Sequence, residues 1–240
     1  MDAKRGFVPE DERNFSPEAL KVMRTASRHI RYLINEGYDL KSASTFVGNH
    51  YLLSERQRLA IMRSVAADGQ AAARKSRQVQ PEALAGKEVW IDGFNTIITL
   101  EVILSDSIFF SCMDGTLRDL AALRGTYRLI PETERAVTLL LDVLKEAKVR
   151  TVRILLDEPV SNSGRLKAKI AGLAEGYPFD LDIRIQRDVD RELYGKELVA
   201  TSDSIILDHC LSWVNLTEEC LSKAAEYLPE DSRTPLRVWE

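Results

Sequence analysis

Glu88-Val89-Trp90-Ile91-Asp92-Gly93-Phe94-Asn95 joins a strand to the start of a helix, and the fold class follows from that junction. Its first five residues make a short apolar strand that stops at an aspartate and a glycine, and Thr96 to Leu104 continues as an apolar run of helical length. The same grammar recurs downstream. Thr151 to Leu156 is a β-branched strand ending at Asp157, Asp180 to Ile185 is a strand, and Leu198 to Thr201 is a strand ending at Asp203. Between them lie amphipathic stretches: Pro131 to Lys148, using Val137, Leu140, Leu141 and Leu144, then Asn162 to Ala174, Ile205 to Leu211 and Thr217 to Leu228, with Trp213 to Leu216 extended. Strands alternating with helices predict an α/β fold, a parallel sheet between two helical layers. Ile108 to Met113 is a further apolar run that periodicity leaves unassigned.

Upstream of this domain the texture is helical. Ser16-Pro17-Glu18 is an N-cap with proline in the first turn, Leu20, Met23, Ala26, Ile30, Leu33 and Ile34 recur at helical spacing, and Gly37 is the stop. Asp39 caps a second helix ending at Gly48, and Ser54 with Gln57 is a capping-box pair opening a third. The reading is a small helical module over 1–80, with about 68–86 as a fraying helix end and linker, and an α/β domain over 87–240. Net charge is −4, yet residues 1–80 hold 14 Lys and Arg against 9 Asp and Glu, while 81–240 hold 19 against 28. A basic module beside an acidic one fits a nucleic-acid grip next to a carboxylate site, and equally fits charge on solvated faces.

Hydrophobic residues at 45% and charged residues at 29% exclude collagen, a coiled-coil rod and wholesale disorder. No apolar run reaches the about 18 residues of a membrane helix, and the first 15 residues have no signal-peptide core, so no membrane association and a cytoplasmic location are expected. Cys112, Cys210 and Cys220 contain no C-x-x-C pair, which argues against a disulfide framework or a zinc knuckle.

The chemistry is carried by Asp92, Asp157 and Asp203, each at the end of a strand. In a parallel sheet, ligands bind outside the carboxyl ends of the strands. Carboxylates gathered there repel one another unless a cation lies among them, and all-oxygen donors suit Mg²⁺ or Mn²⁺, which can activate water and steady a phosphodiester leaving group. The plain alternative is that each aspartate caps the next helix or starts a turn, and Asp157, followed by Glu158-Pro159, is the most open to it.

Asp92-Gly93-Phe94-Asn95 after a strand, with Thr201-Ser202-Asp203 after a late strand, resembles the PIN-like nuclease superfamily, and more closely its NYN branch, over roughly 88–216. The resemblance implies RNA hydrolysis with Mg²⁺ or Mn²⁺. By position it makes Asp92 and Asp203 metal ligands, Asn95 a group orienting the ion or a phosphate, and Thr201 or Ser202 hydrogen-bond partners of the site. Such sites also take an acid from a helix; Glu101 is favoured as that ligand over being the one wet position of an apolar helix, with Asp157 completing the set. Asp114 and Asp119 are further candidates. The whole chain also resembles an uncharacterised prokaryotic family whose helical N-terminal part carries GY…FVGNHYLL…RQR, from which no activity carries over. The function expected is thus a metal-dependent nuclease, RNA preferred to DNA, with a homodimer among the assemblies open to it. The alternative is a non-catalytic nucleic-acid or protein scaffold on a degenerate nuclease fold.

Three smaller signals remain. Cys112-Met113-Asp114-Gly115-Thr116-Leu117 resembles the haloacid dehalogenase signature, with cysteine where that mechanism needs its nucleophilic aspartate, so a phosphatase ranks lower. Ser161, Ser163 and Arg165 lie between a strand and a helix, where they fit a phosphate site or a plain helix cap. His50, beside Tyr51, Arg56 and Arg58, fits backbone contact with nucleic acid, although a structural histidine is the favoured role; His29 and His209 have no metal-ligand spacing.

Overall fold

Capping chemistry starts the N-terminal helices where the sequence places it. The computed structural model describes residues 4–121, 125–226, 228–229 and 234–240. After a single turn, α1 (Asp11–Asn14), Ser16 Oγ accepts the Ala19 amide to open α2 (Pro17–Asn35), and the chain turns at Gly37 with φ +88°. Asp39 accepts the Ser42 amide at 2.9 Å to open α3 (Leu40–His50), which runs two residues past Gly48. Ser54 and Gln57 close a reciprocal capping box on α4 (Glu55–Ser64), and α5 (Asp68–Ser76) follows. Met23, Ala26, Ile30, Val47, Ala60 and Ile61 bury one seam, into which Phe110, Cys112, Met113, Leu120 and Val238 also pack from far along the chain. The helical part therefore shares its core with the rest of the molecule.

The remaining elements are β1 (Gln78–Val79), a short 3-10 turn at Pro81–Leu84, β2 (Glu88–Asp92), α6 (Gly93–Leu104), β3 (Phe109–Ser111), β4 (Leu117–Asp119) and α7 (Pro131–Glu146). Then come β5 (Thr151–Asp157), α8 (Ser163–Leu173), β6 (Asp180–Gln186), α9 (Val189–Leu193), β7 (Val199–Ala200), α10 (Ser204–His209), β8 (Trp213–Val214) and α11 (Leu216–Ala224). Six strands form one parallel sheet in the order β1-β8-β7-β2-β5-β6. Val89, Ile91, Val152, Ile154 and Leu156 pack with the layer of α6, α7, α8 and α11. Leu155, Val199 and Trp213 face the other way, onto α9 and α10. This is a three-layer α/β domain following a helical module.

Two sequence expectations need correction. The stretch 68–86, read as a fraying end and linker, is ordered: α5 is helical, and β1 joins the sheet beside β8, with Gln78 paired to Trp213 and Val79 to Val214. The pairing joins residues 135 apart in the chain, so no local periodicity announces it. The apolar run 108–113 supplies β3, which pairs antiparallel with β4 as a separate hairpin and not as part of the parallel sheet.

From β2 the chain crosses to β5 and β6 on one side and later returns to β7 and β8 on the other. The strand order thus reverses between β2 and β7, and the crevice at their carboxyl ends is where such sheets bind ligands.

Candidate active site at the carboxyl edge of the sheet

Asp92 is the last residue of β2, and α6 begins at the next residue. That abrupt turn needs Gly93. A Cβ there would lie 2.8 Å from the Leu155 carbonyl oxygen and 2.9 Å from Ile154 Cγ2, so the start of α6 rests directly on β5. Asp92 holds the cap position of α6 but makes no side-chain cap bond, so capping does not explain it. Its carboxylate instead accepts the Thr201 hydroxyl at 2.8 Å. The register accounts for this: Ile91 pairs with Ala200, which brings Thr201 level with Asp92 across the β2–β7 crevice.

The loop after β7 is held from both directions. Thr201 Oγ1 also accepts the Asp203 amide at 3.0 Å, and Asn95 Oδ1, in the first turn of α6, accepts the Ser202 amide at 2.7 Å and its hydroxyl at 2.9 Å. Asp203 does cap its helix, Oδ1 accepting the amides of Ile205 and Ile206. Asp157 ends β5 beside this edge. A fourth acid, Asp190 in α9, joins the group electrostatically; the sequence reading missed it because it follows β6 by four residues within a charged helix. Burial pushes the Asp92 carboxyl up to about 8, the charges of Asp203, Asp157 and Asp190 add to the rise, and the Thr201 hydroxyl opposes it. Asp157 is raised by burial and by Asp190, and Asp190 by burial, Asp203 and Asp188.

Comparison with the other buried acids separates Asp92 from structural carboxylates. Five carboxylates are buried among the described residues: Asp11, Asp92, Glu101, Asp114 and Asp119. Asp11 pairs with Arg56 at 2.7 Å, Glu101 with Arg5 at 2.8 Å, Asp114 with Arg118 at 2.6 Å and Arg74 at 3.0 Å, and Asp119 with Arg63 at 3.7 Å. Asp92 has no ion pair among the described residues. A buried carboxylate without a cation must stay protonated or acquire one.

The same comparison moves Glu101 away from the role that the sequence favours. It is fully buried, bound by Arg5, by the Tyr127 hydroxyl at 2.6 Å and by the Thr133 hydroxyl, so both oxygens are committed to holding the N-terminal segment onto α6 and α7. Asp114 lies in the turn of the β3–β4 hairpin between two arginines, and Cys112 is 2% exposed, so the dehalogenase-like hexapeptide is a structural turn. Asp119 accepts the Thr99 hydroxyl and the Ala121 amide.

Ser161 and Ser163 are likewise occupied. Ser161 exchanges hydrogen bonds with the Tyr127 backbone, and Ser163 donates to the Asp157 and Val160 carbonyls, so both fasten the loop after β5; Arg165 is exposed on α8. Arg56 is spent on Asp11 and the Gly6 and Leu120 carbonyls, Arg58 on Leu53 and Asn49, and Tyr51 meets His29 at 3.1 Å with its ring edge-on to His50. The carboxyl edge nonetheless has an opening. A cleft of about 610 Å³ lies between Asn95, Ser202 and Asp203 on one wall and the helical module on the other.

The donors at this edge are all oxygen, and Asp92 at its centre has no ion pair among the described residues, which fits a hard divalent ion. Among the described residues, no three His, Cys, Asp or Glu side chains are already grouped as ligands of one ion. No helix among them is long and apolar enough to cross a membrane.

Comparison with known proteins places these features in two matched regions. Residues 81–219, which include all four aspartates, match a family described as domain of unknown function DUF5616, and residues 22–77 match one described as protein of unknown function DUF434. The uncharacterized protein MJ0935 of Methanocaldococcus jannaschii is 35% identical over 203 residues, covering 85% of this chain and 96% of its own. No solved structure matches.

Proposed function

We propose that this chain, which belongs to the family described as domain of unknown function DUF5616, is a PIN-like, NYN-type nuclease that hydrolyses phosphodiester bonds in RNA with Mg²⁺ or Mn²⁺. One observation carries the reading: among the described residues Asp92 is the buried carboxylate that lacks an arginine, and it stands at the switch point of a parallel sheet. Asp92, Asp157 and Asp203 would hold the ion, with Asp190 in the place that Glu101 does not fill. When bound, the ion would neutralise charge on the phosphate and lower the pKa of an attacking water.

The remaining work falls to this chain's own groups. Thr201 fixes the orientation of Asp92 through its hydroxyl. Asn95 holds the 201–203 loop through two bonds to Ser202, and so sets where Asp203 stands. Gly93 allows α6 to start against β5 without displacing Asp92. The experiment is cleavage of end-labelled single-stranded RNA in Mn²⁺ or EDTA, beside Asp92→Asn and Asp203→Asn. Cleavage that needs both the metal and the aspartates is expected; undiminished cleavage by folded Asp92→Asn would overturn the assignment.

A second reading, a non-catalytic scaffold on a degenerate nuclease fold, draws on Asp203, whose Oδ1 is engaged as the cap of α10. Calorimetry separates the two, since the scaffold reading expects no Mn²⁺ binding that depends on Asp92.

A further inference from the structure

The wall of the cleft facing Asp203 carries side chains that the nuclease chemistry does not use. Tyr38, in the turn between α2 and α3, is 61% exposed, and Gln70 on α5 is also exposed. Neither side chain has a bonded partner among the described residues. Arg63 on α4 reaches Asp119 through Nη1 alone, leaving Nε and Nη2 without a bond among the described residues. An exposed aromatic, a primary amide and half a guanidinium thus line one side of a cleft whose opposite side is Asn95, Ser202 and Asp203.

The two walls are tied at a fixed separation. Arg118, 9% exposed at the base of the cleft, donates to the Ser202 carbonyl on one wall and the Arg63 carbonyl on the other, each at 2.6 Å. Arg74 reinforces the closure through Asp208 at 2.7 and 2.8 Å and Asp114 at 3.0 Å. A rigid cleft of about 610 Å³ lies within the roughly 300–1,000 Å³ range of small-ligand sites. An unpaired strand suits such a cleft, because its splayed bases are free to stack on an aromatic ring and to expose their edges.

We propose that this cleft binds an unpaired stretch of RNA, with one base stacked on Tyr38 and read by Gln70, and a neighbouring phosphate on the free edge of Arg63. The strand then passes Asp203 toward Asp92. The inference rests on the nuclease reading for the identity of the ligand. It moves the contact with nucleic acid from His50, Tyr51, Arg56 and Arg58, which are engaged within the module, to the face that meets the sheet. Arg63, Arg74 and Arg118 are matched in the cleft by Asp39, Asp119 and Asp203, so stacking and base edges contribute more to recognition than bulk charge does.

The test uses the full chain carrying Asp92→Asn, in EDTA, with a fluorescent single-stranded 12-nucleotide RNA read by anisotropy. Tyr38→Ala is expected to weaken binding on the order of 10-fold, the usual cost of a lost base stack, and Gln70→Glu by several-fold. Tyr32→Ala, exposed on α2 and outside the cleft, leaves binding unchanged, and a duplex of the same sequence binds on the order of 10-fold more weakly. Urea midpoints confirm that the variants fold. Absence of single-strand binding, equal binding of the duplex, indifference to Tyr38→Ala or an equal loss with Tyr32→Ala would each overturn the proposal. Cleavage is scored separately on the wild-type chain in Mn²⁺. Tyr38-dependent binding without cleavage upholds the cleft and removes the nuclease reading, whereas cleavage with binding indifferent to Tyr38 does the reverse.

Discussion

Replacing Asp92 by asparagine should stabilise the protein, and increasingly so as the pH rises. In the unfolded chain the carboxyl titrates at its ordinary 3.8, and in the fold burial and three neighbouring acids push it up to about 8. Well below pH 3.8 both states are protonated, and the group favours neither. Between the two values the unfolded chain releases the proton while the folded chain must retain it. Stability therefore falls by about 1.36 kcal/mol for each pH unit, and the full loss, on the order of 6 kcal/mol, is reached above pH 8. Asparagine carries no titrating proton, and its amide oxygen can accept the Thr201 hydroxyl that now donates to Asp92 at 2.8 Å. Asp157 and Asp190 titrate in both proteins and largely cancel in the comparison. The advantage of Asp92→Asn should then grow by up to about 4 kcal/mol between pH 5 and pH 8. Urea unfolding in EDTA at the two pH values, both proteins side by side, measures it. An advantage that stays constant with pH, or a variant less stable than wild type at pH 8, would refute the argument that Asp92 is a buried acid without a cation.

Other outcomes follow from the same contacts. A divalent ion at this edge must displace the Asp92 proton, so Mn²⁺ affinity by calorimetry should rise up to about tenfold per pH unit between pH 6 and 8 and then level off. At a hundredfold excess over Kd, Mn²⁺ should add about 2.7 kcal/mol to wild-type stability at pH 8 and little to Asp92→Asn; equal gains in both would place the ion elsewhere. Glu101→Ala leaves Arg5 buried without its carboxylate and should cost about 3–5 kcal/mol in urea unfolding, while the milder Glu101→Gln, once folded, retains cleavage. Gly93→Ala forces a Cβ against the Leu155 carbonyl and should cost about 1–3 kcal/mol while lowering cleavage, because α6 and Asp92 must shift together.

Much of the scaffold is legible in local sequence because local chemistry builds it. Ser16, Asp39 and the Ser54–Gln57 pair start helices through bonds that span three residues, and a chain segment carries those bonds wherever it packs. The strand endings at Asp92 and Asp157 and the parallel α/β pattern are equally local, since side-chain alternation and turn residues lie within each segment. Local sequence thus carries the layers, most element bounds and the edge to which the aspartates belong.

Which acids are structural is set by contacts between distant parts of the chain. Glu101 and Asp92 look alike in sequence, each an acid within an apolar run, and they differ because Arg5, 96 residues before Glu101, folds back onto one, while among the described residues no arginine pairs with the other. Asp190 joined the acidic group, β1 joined the sheet, and Tyr38 came to line one cleft with Asp203 for the same reason. Charge pairing and strand pairing act across space, between residues whose separation along the chain carries no trace of the contact.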